Sequence, residues 1–328
     1  MLPPSTTPRE RMNMFPPRRV KVRAVACVAA AALCLLAPAA ASAQAAPPRA
    51  LTVTVTDQKG RQVAGLEREA FTVLDGGRPS EIVSFASGDM PSTIGVLLDA
   101  SGSMGRQRFG IIREALLRFF KSCHPSDEFF FIAFNRGPQL IQGMTDAPAK
   151  VSGALDRYAA VEPKGITAFY DALYLALNQV ARGRHAKRAV LLVTDGQDNG
   201  SQYKFEELKR QLKESDVTVY ALGIVFPNND DSALGYGGRA VLEELAQMSG
   251  GRVFFPSTGR ELNGSLEELA LELRNQYVIG IAPAAEAKKD GWHEVRVRLG
   301  EVRAGGRKVK AVARARAGFY DVPPPRRH

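Results

Sequence analysis

Cysteine is almost missing from this 328-residue chain, which holds only Cys27, Cys34 and Cys123. The first two fall in an N-terminal apolar run whose removal leaves Cys123 alone, so the rest of the chain has no internal disulfide. Cys123 reads as a small buried hydrophobe rather than a nucleophile. Neither Cys27 nor Cys34 follows a convincing lipobox, which argues against a lipid anchor. Histidine is nearly as scarce. His124, His185, His293 and His328 show no metal-ligand spacing, so a histidine-held zinc site is not expected. The apolar run Ala24 to Leu36 has about 13 residues, short of the ~20 that a spanning helix needs. Catalytic signatures are also lacking. There is no glycine-rich P-loop, no Asp-x-Asp nucleophile pair and no Gly-x-Ser-x-Gly elbow.

The N-terminal run has a different meaning. Arg18, Arg19, Lys21 and Arg23 precede it, and Ala41-Ser42-Ala43 follows as a small-residue cleavage site. That order predicts a secretory signal peptide over 1–43, cut after Ala43, and a secreted or periplasmic mature chain without a membrane span. Translation could start at Met1, Met12 or Met14. Residues 1–43 carry six basic side chains and one acid, so the formal charge of +10 falls to +5 without them. Much of the remaining excess lies between Arg296 and Arg327. A basic stretch can attract polyanions, but no aromatics interleave as a single-strand binder requires. A solvated strand face is the better reading, and no nucleic-acid partner is expected.

At ~100–200 residues per domain, the length predicts two units. Residues 44–91 read as short strands: Leu51 to Asp57 with period two, then Val63 to Leu66, Phe71 to Leu74 and Ile82 to Phe85, with a hairpin turn at Asp75-Gly76-Gly77. Forty residues are thin for an independent core. Residues 277–320 offer matching strands at Tyr277 to Ile281, Trp292 to Leu299 and Val309 to Ala315, so the two flanks are expected to complete one small β-sandwich layer. Residues 321–328 read as a disordered tail.

Between the flanks, over 92–276, strands and helices alternate. Helical spacing covers Arg108 to Lys121, Asp171 to Val180, Phe205 to Glu214, Val241 to Met248 and Glu261 to Asn275. A short helix ends at Leu155 to Tyr158. Strands are predicted at Ile94 to Asp99, Phe129 to Phe134, Lys187 to Thr194, Val217 to Ile224 and Arg252 to Phe255. The alternation predicts an α/β, doubly wound, mainly parallel sheet of Rossmann-like type covered on both faces. Asn228 to Ser232 and Gly235 to Gly238 read as a polar, flexible insertion.

The chemistry gathers at strand ends. Ile94 to Leu98 runs into Asp99-Ala100-Ser101-Gly102-Ser103, which spaces one carboxylate and two hydroxyls at i, i+2 and i+4. If the loop stays extended, the three side chains point one way. No base is near in sequence, so they make a poor nucleophile site but a good partial cage for a hard divalent cation. Ala189 to Asp195 is a second buried run ending in aspartate, and Thr167 adds a hydroxyl where a helix begins. Ligands of open parallel sheets collect beyond the carboxyl ends of strands, which places Asp99 and Asp195 at one rim.

The set Asp99, Ser101, Ser103, Thr167 and Asp195, in this order and spacing, resembles the metal-ion-dependent adhesion site of von Willebrand factor A domains. The resemblance covers roughly Ser92 to Gln276. The pattern Asp57, Gly60, Val63, Gly65 and Leu66, with Tyr277, Asp290-Gly291-Trp292-His293 and Ala317-Gly318-Phe319-Tyr320, is similar to secreted bacterial members. The resemblance implies that Ser101, Ser103 and Thr167 bind Mg²⁺ (Mn²⁺ and Ca²⁺ being alternatives) directly, with Asp99 and Asp195 binding directly or through water. It implies a non-enzymatic adhesion-type protein whose protein ligand presents an Asp or Glu. A metal-dependent hydrolase or phosphotransfer enzyme, and an assembly factor for an envelope complex, are the competing readings. Asp198 and Asn199 are expected to hold a turn, and Asp171 to sit in a first helical turn.

Overall fold

The computed structural model describes residues 48–159, 165–224, 236–282, 291–304 and 307–320. The predicted signal peptide over 1–43, the stretch Asn228 to Ser232 and the predicted tail over 321–328 lie outside the described residues.

The chain enters through β1 (Arg49–Asp57), β2 (Phe71–Asp75), β3 (Arg78–Ser80) and β4 (Ile82–Ala86). Gly76 and Gly77 both hold positive φ, at 55° and 84°. Asp75 pairs with Arg78 across them, which is the two-residue hairpin geometry that side chains with a Cβ resist. Val63 to Leu66 is not a strand. Gly65 turns the chain at φ 73°, and the Tyr277 hydroxyl donates to the Val63 carbonyl (2.8 Å) and accepts from the Leu66 amide (3.1 Å). A side chain therefore takes the bonds a ladder would have supplied.

The central unit follows as β5 (Ser92–Asp99), α1 (Gly105–Ser122), β6 (Glu128–Phe134), β7 (Pro138–Thr145), α2 (Pro148–Ala159), α3 (Phe169–Val180) and β8 (Lys187–Thr194). It continues with α4 (Phe205–Glu214), β9 (Thr218–Gly223), α5 (Tyr236–Ser249), β10 (Val253–Phe254) and α6 (Gly259–Arg274). Six strands form one mixed sheet in the order β10-β9-β8-β5-β6-β7, with β7 antiparallel to β6 and the other pairings parallel. Every residue of β5 is buried, as suits a central strand covered on both faces. Ile94, Val96 and Leu98 join one apolar cluster with α1, α2 and α6. Leu97 faces the other way, into a cluster with α3, α4 and α5. Strand β7 escapes the sequence reading because Pro-Gln-Leu-Ile-Gln-Gly-Met-Thr has neither an apolar run nor alternation, and it is only half-buried. Helix α5 begins at Tyr236, so Gly237 and Gly238 belong to a helix rather than to an insertion.

The last segment supplies β11 (Tyr277–Ile281), β12 (Trp292–Leu299), β13 (Val302–Ala304), β14 (Arg307–Val309), β15 (Ala311–Arg314) and β16 (Gly318–Tyr320). The expected single strand from Val309 to Ala315 is two, broken at Lys310. Strand β14 turns back on β13, while β15 pairs with β1. Two four-stranded sheets mix both ends of the chain, in the orders β15-β1-β11-β4 and β16-β12-β2-β3. Leu51, Val53 and Val55 share one buried cluster with Phe71, Val73, Tyr277, Ile279, Val295 and Phe319. Strand β1 has both its neighbours, β11 and β15, from beyond Gln276. A chain shortened to end at Gln276 is therefore expected to expose an unpaired apolar edge and aggregate. Sizing by light scattering checks this, and a monomer with an unchanged melting temperature would refute it.

Candidate metal centre

Strands β5 and β8 lie side by side with Leu98 opposite Val193, so Asp99 and Asp195 leave the sheet at neighbouring positions of one rim. Asp99 is fully buried and Asp195 is 3% exposed. The Asp99 carboxylate is held at both oxygens. Oδ1 accepts the Ser101 amide at 2.8 Å, and Oδ2 accepts the Thr194 hydroxyl at 2.7 Å. That first bond turns the chain after β5 so that Ser101 is buried beside it. Ser103 sits in the 3-10 turn Gly102–Met104, and its side chain lies outside the described residues.

Thr167 is brought in by backbone bonds. The Gly102 amide donates to the Gly165 carbonyl at 3.3 Å, and the Ala168 amide to the Asn135 carbonyl at 2.7 Å. Asn199 clamps Thr167 from the other side. Its side-chain oxygen accepts the Thr167 amide at 2.7 Å, and the Asn199 and Gly200 amides donate to the Thr167 carbonyl at 3.0 and 2.9 Å. Thr167 is buried. The structure thus brings Asp99, Ser101, Thr167 and Asp195 to one rim, with the backbone of Ser103 between them.

The neighbours do more than the sequence reading assigned them. Asp198 does hold a turn, accepting the Ser201 hydroxyl at 2.6 Å, but it also accepts the Tyr170 amide at 3.0 Å. Asp171 lies in the first turn of α3, yet its carboxylate accepts the amides of Gln202 and Tyr203. Both acids therefore tie the loop after β8 to the start of α3. Thr194 was missed altogether. The available signal was its place at the last position of a strand beside the one that ends in Asp99.

Gly196 follows Asp195 at φ 80°. A Cβ there would meet the Gly238 carbonyl oxygen at 3.0 Å, and a Cβ on Gly238 would meet the Gly196 oxygen at 2.8 Å. The start of α5 is thus packed directly on the Asp195 loop, at a distance only glycine permits.

Charge decides what this rim can hold. Burial pushes the Asp99 carboxyl up to about 6; hydrogen bonds from Ser101 and Thr194 oppose the shift, and the charge of Asp195 adds to it. Among the described residues neither Asp99 nor Asp195 forms an ion pair with a Lys, Arg or His. Two buried carboxylates that repel one another, with hydroxyls around them and no basic partner, are a donor set that fits a hard divalent cation. No group of three His, Cys, Asp or Glu side chains with metal-holding geometry occurs among the described residues. An ion here would therefore lean on hydroxyls and water as much as on carboxylates.

The family model for the von Willebrand factor type A domain matches residues 93–271. Human inter-alpha-trypsin inhibitor heavy chain H3 is 26% identical over 200 residues, covering 55% of this chain and 21% of that protein. This chain therefore aligns with about a fifth of the relative's length. A von Willebrand factor type A structure from Catenulispora acidiphila superposes with a TM-score of 0.48 at 14% identity, covering 85% of this chain and 76% of that one. Proximal thread matrix protein 1 of the mussel byssus, solved with zinc in its adhesion-site motif, gives 0.47 at 20% identity, covering 62% and 50%.

Proposed function

The chain belongs to the von Willebrand factor type A domain family, and on that premise we propose that it is an exported, non-enzymatic binding protein that captures a protein ligand through a Mg²⁺-bridged Asp or Glu. The observation that carries this reading is the unneutralised carboxylate pair of Asp99 and Asp195 at a rim lined by hydroxyls. Ser101, Ser103 and Thr167 would hold the ion directly, with Asp99 and Asp195 binding directly or through water; Mn²⁺ and Ca²⁺ suit the same oxygens. A bound ion with few charged ligands stays electrophilic and supplies a position that an incoming carboxylate can take from water. The protein's part is to hold the loops: Thr194 orients Asp99, Asn199 holds Thr167, and Asp198 and Asp171 fix the segment between them. Ile166 and Tyr203, 43% and 41% exposed on these same loops, offer a partner apolar contact beside the ion.

The family match to an inhibitor heavy chain supports a protein-interaction role. A hydrolase or phosphotransfer enzyme would need a general base at the rim; no described histidine is there, and Asp99, the rim carboxyl raised to about 6, is fully buried with both oxygens taken by the Ser101 amide and the Thr194 hydroxyl. His124 precedes β6 and His185 precedes β8, at the far ends of those strands, and His293 of β12 pairs with Asp75. We also read 1–43 as a signal peptide cut after Ala43, 92–276 as the von Willebrand factor A domain, and segments 44–91 and 277–320 as one β-sandwich layer. An exported protein of this pattern sits among the secreted bacterial members. Among the described residues no helix is long and apolar enough to cross a membrane. An envelope assembly factor would use the same rim, and only the identity of the partner separates it from an adhesion-type protein.

Capture of a partner from the native envelope by the chain lacking 1–43 is expected to require Mg²⁺. It should be lost in EDTA and on Asp99→Ala, Ser101→Ala or Thr167→Ala. Raising salt from ~50 to ~200 mM should weaken it only modestly, whereas a polyanion binder loses ~10³–10⁵-fold. Binding that survives EDTA but collapses with salt, or on neutralising Arg296, Arg298 and Arg307, would move the working surface to the C-terminal strands.

A further inference from the structure

The rim carries a basic side chain that the metal-bridging reading does not use. Arg136 lies in the loop between β6 and β7, on the same end of the sheet as Asp99, since Phe134 closes β6 directly opposite Asp99. It is exposed and forms no ion pair with a described residue. Its position is set from two sides. Its amide donates to the Asn135 side chain at 2.7 Å, and the Asn135 carbonyl in turn holds Ala168, next to Thr167. Its side chain then runs alongside Gly165. A Cβ on Gly165 would stand 3.8 Å from Arg136 Cγ and 3.9 Å from its Nε. The Gly165 carbonyl accepts from Gly102, the residue between the two serines of the cation loop. A guanidinium is thus carried beside the cation-binding loops, in ordinary van der Waals reach of Gly165.

Among the described residues, the acids of this rim do not compete for it. Asp171 and Asp198 spend their oxygens on backbone amides and the Ser201 hydroxyl, and Asp99 and Asp195 are buried. A planar, always-charged fork with no ion-pair partner among the described residues is suited to a carboxylate from outside the chain.

We propose that Arg136 is a second anchor for the ligand, so that the partner segment presents two neighbouring carboxylates, one taken by the cation and the other by Arg136. This rests on the metal-bridging reading above and narrows it from any acidic side chain to an acid pair. Arg136 acts here as a specificity-determining residue and takes no part in holding the ion.

The test uses Mg²⁺-loaded protein and fluorescein-labelled peptides with one Asp in a Gly-rich frame, two Asp separated by zero to two Gly, or Asn throughout. In Mg²⁺ the best two-Asp peptide is expected to bind tighter than the one-Asp peptide by about 1.4- to 5-fold, the gain an exposed charge pair supplies. Arg136→Gln should remove that advantage while leaving one-Asp binding and the Mg²⁺-induced melting shift unchanged. Arg136→Lys should keep part of it. An advantage that persists in Arg136→Gln, or its absence from the parent protein while one-Asp peptides bind in a Mg²⁺-dependent way, overturns the second anchor alone. If Mg²⁺ binds but no Asp peptide does better than the Asn control, the metal-bridging reading falls and takes the second anchor with it.

Discussion

Adding Mg²⁺ to tenfold above its dissociation constant is expected to raise the melting temperature by roughly 3–6 °C, and Asp99→Ala is expected to abolish that rise. The size follows from linkage. A ligand that binds only the folded state at this excess contributes ~1.4 kcal/mol, and a domain this large shifts about 2–4 °C per kcal/mol. The direction follows from the site, where Asp99 and Asp195 are buried together and neither is ion-paired to a basic side chain among the described residues. Asp99→Ala removes one repelling charge, so the variant should fold, with the Thr194 hydroxyl and Ser101 amide losing their acceptor. Its melt should be insensitive to Mg²⁺. A parent melt that does not move at ~10 mM Mg²⁺ would mean that the ion does not bind at useful affinity.

The same experiment has a pH dependence whose sign is set by Asp99. Its folded carboxyl titrates at about 6 instead of 3.8, chiefly because it is buried. The folded metal-free protein therefore holds a proton that the unfolded chain has lost, and this group's contribution to stability declines as pH rises from about 4 through 6. A cation must displace that proton below pH 6, and binds without competition above it. The Mg²⁺-induced shift should accordingly be full at pH 7.5 and much smaller at pH 5. Equal shifts at both values would show that Asp99 is not protonated in the metal-free fold.

How much of this was legible in the chain depended on the kind of force involved. The parallel strands β5 and β8 announce themselves because a strand covered on both faces must be apolar throughout, and their terminal aspartates stand out against that run. The cation loop was readable because its residues are local in sequence. Strand β7 was hidden because an edge strand with one wet side need not alternate cleanly. The break at Lys310 depends on β15 finding β1 some 250 residues away, which no local pattern encodes. Thr194, Arg136 and the clamp that Asn199 places on Thr167 were invisible for a related reason. A hydroxyl, an amide and a surface guanidinium are common anywhere, and only the register of β5 against β8 and β6 gives them meaning. The join between the central unit and the flanking sheets belongs with these, since it rests on polar side chains scattered from Thr54 to Arg314.

That join leads to the second large effect: Glu272→Ala is expected to destabilise the protein by ~3–5 kcal/mol, the range for removing one partner of a buried ion pair. Glu272 of α6 is 1% exposed and receives the Tyr220 hydroxyl of β9 at 2.7 Å, the Thr54 hydroxyl of β1 at 3.2 Å and the Gln62 amide at 3.4 Å. It is also ion-paired with Arg314 of β15. Gln276 donates to both Tyr220 and Thr54, closing a network that spans the central sheet and both ends of the chain. Alanine leaves the Arg314 charge and three donors without their acceptor. Because the Arg314 side chain keeps 30% of its exposure, water can reach it and the loss should fall toward the lower end of the range. At ~2–4 °C per kcal/mol, the melting temperature should drop by at least about 6 °C. The double variant Glu272→Met, Arg314→Met separates the cost of an orphaned charge from the worth of the pair. It should recover the part of the loss that comes from the Arg314 charge, because apolar side chains of similar volume replace a buried ion pair at little cost, while the Tyr220, Thr54 and Gln62 donors stay without their acceptor. A double variant as unstable as Glu272→Ala would show instead that the hydroxyl and amide donors, not the Arg314 charge, depend on Glu272. A single variant that melts within about 2 °C of the parent, under 1 kcal/mol at this size, would show that the network does not hold the flanking sheets to the central unit.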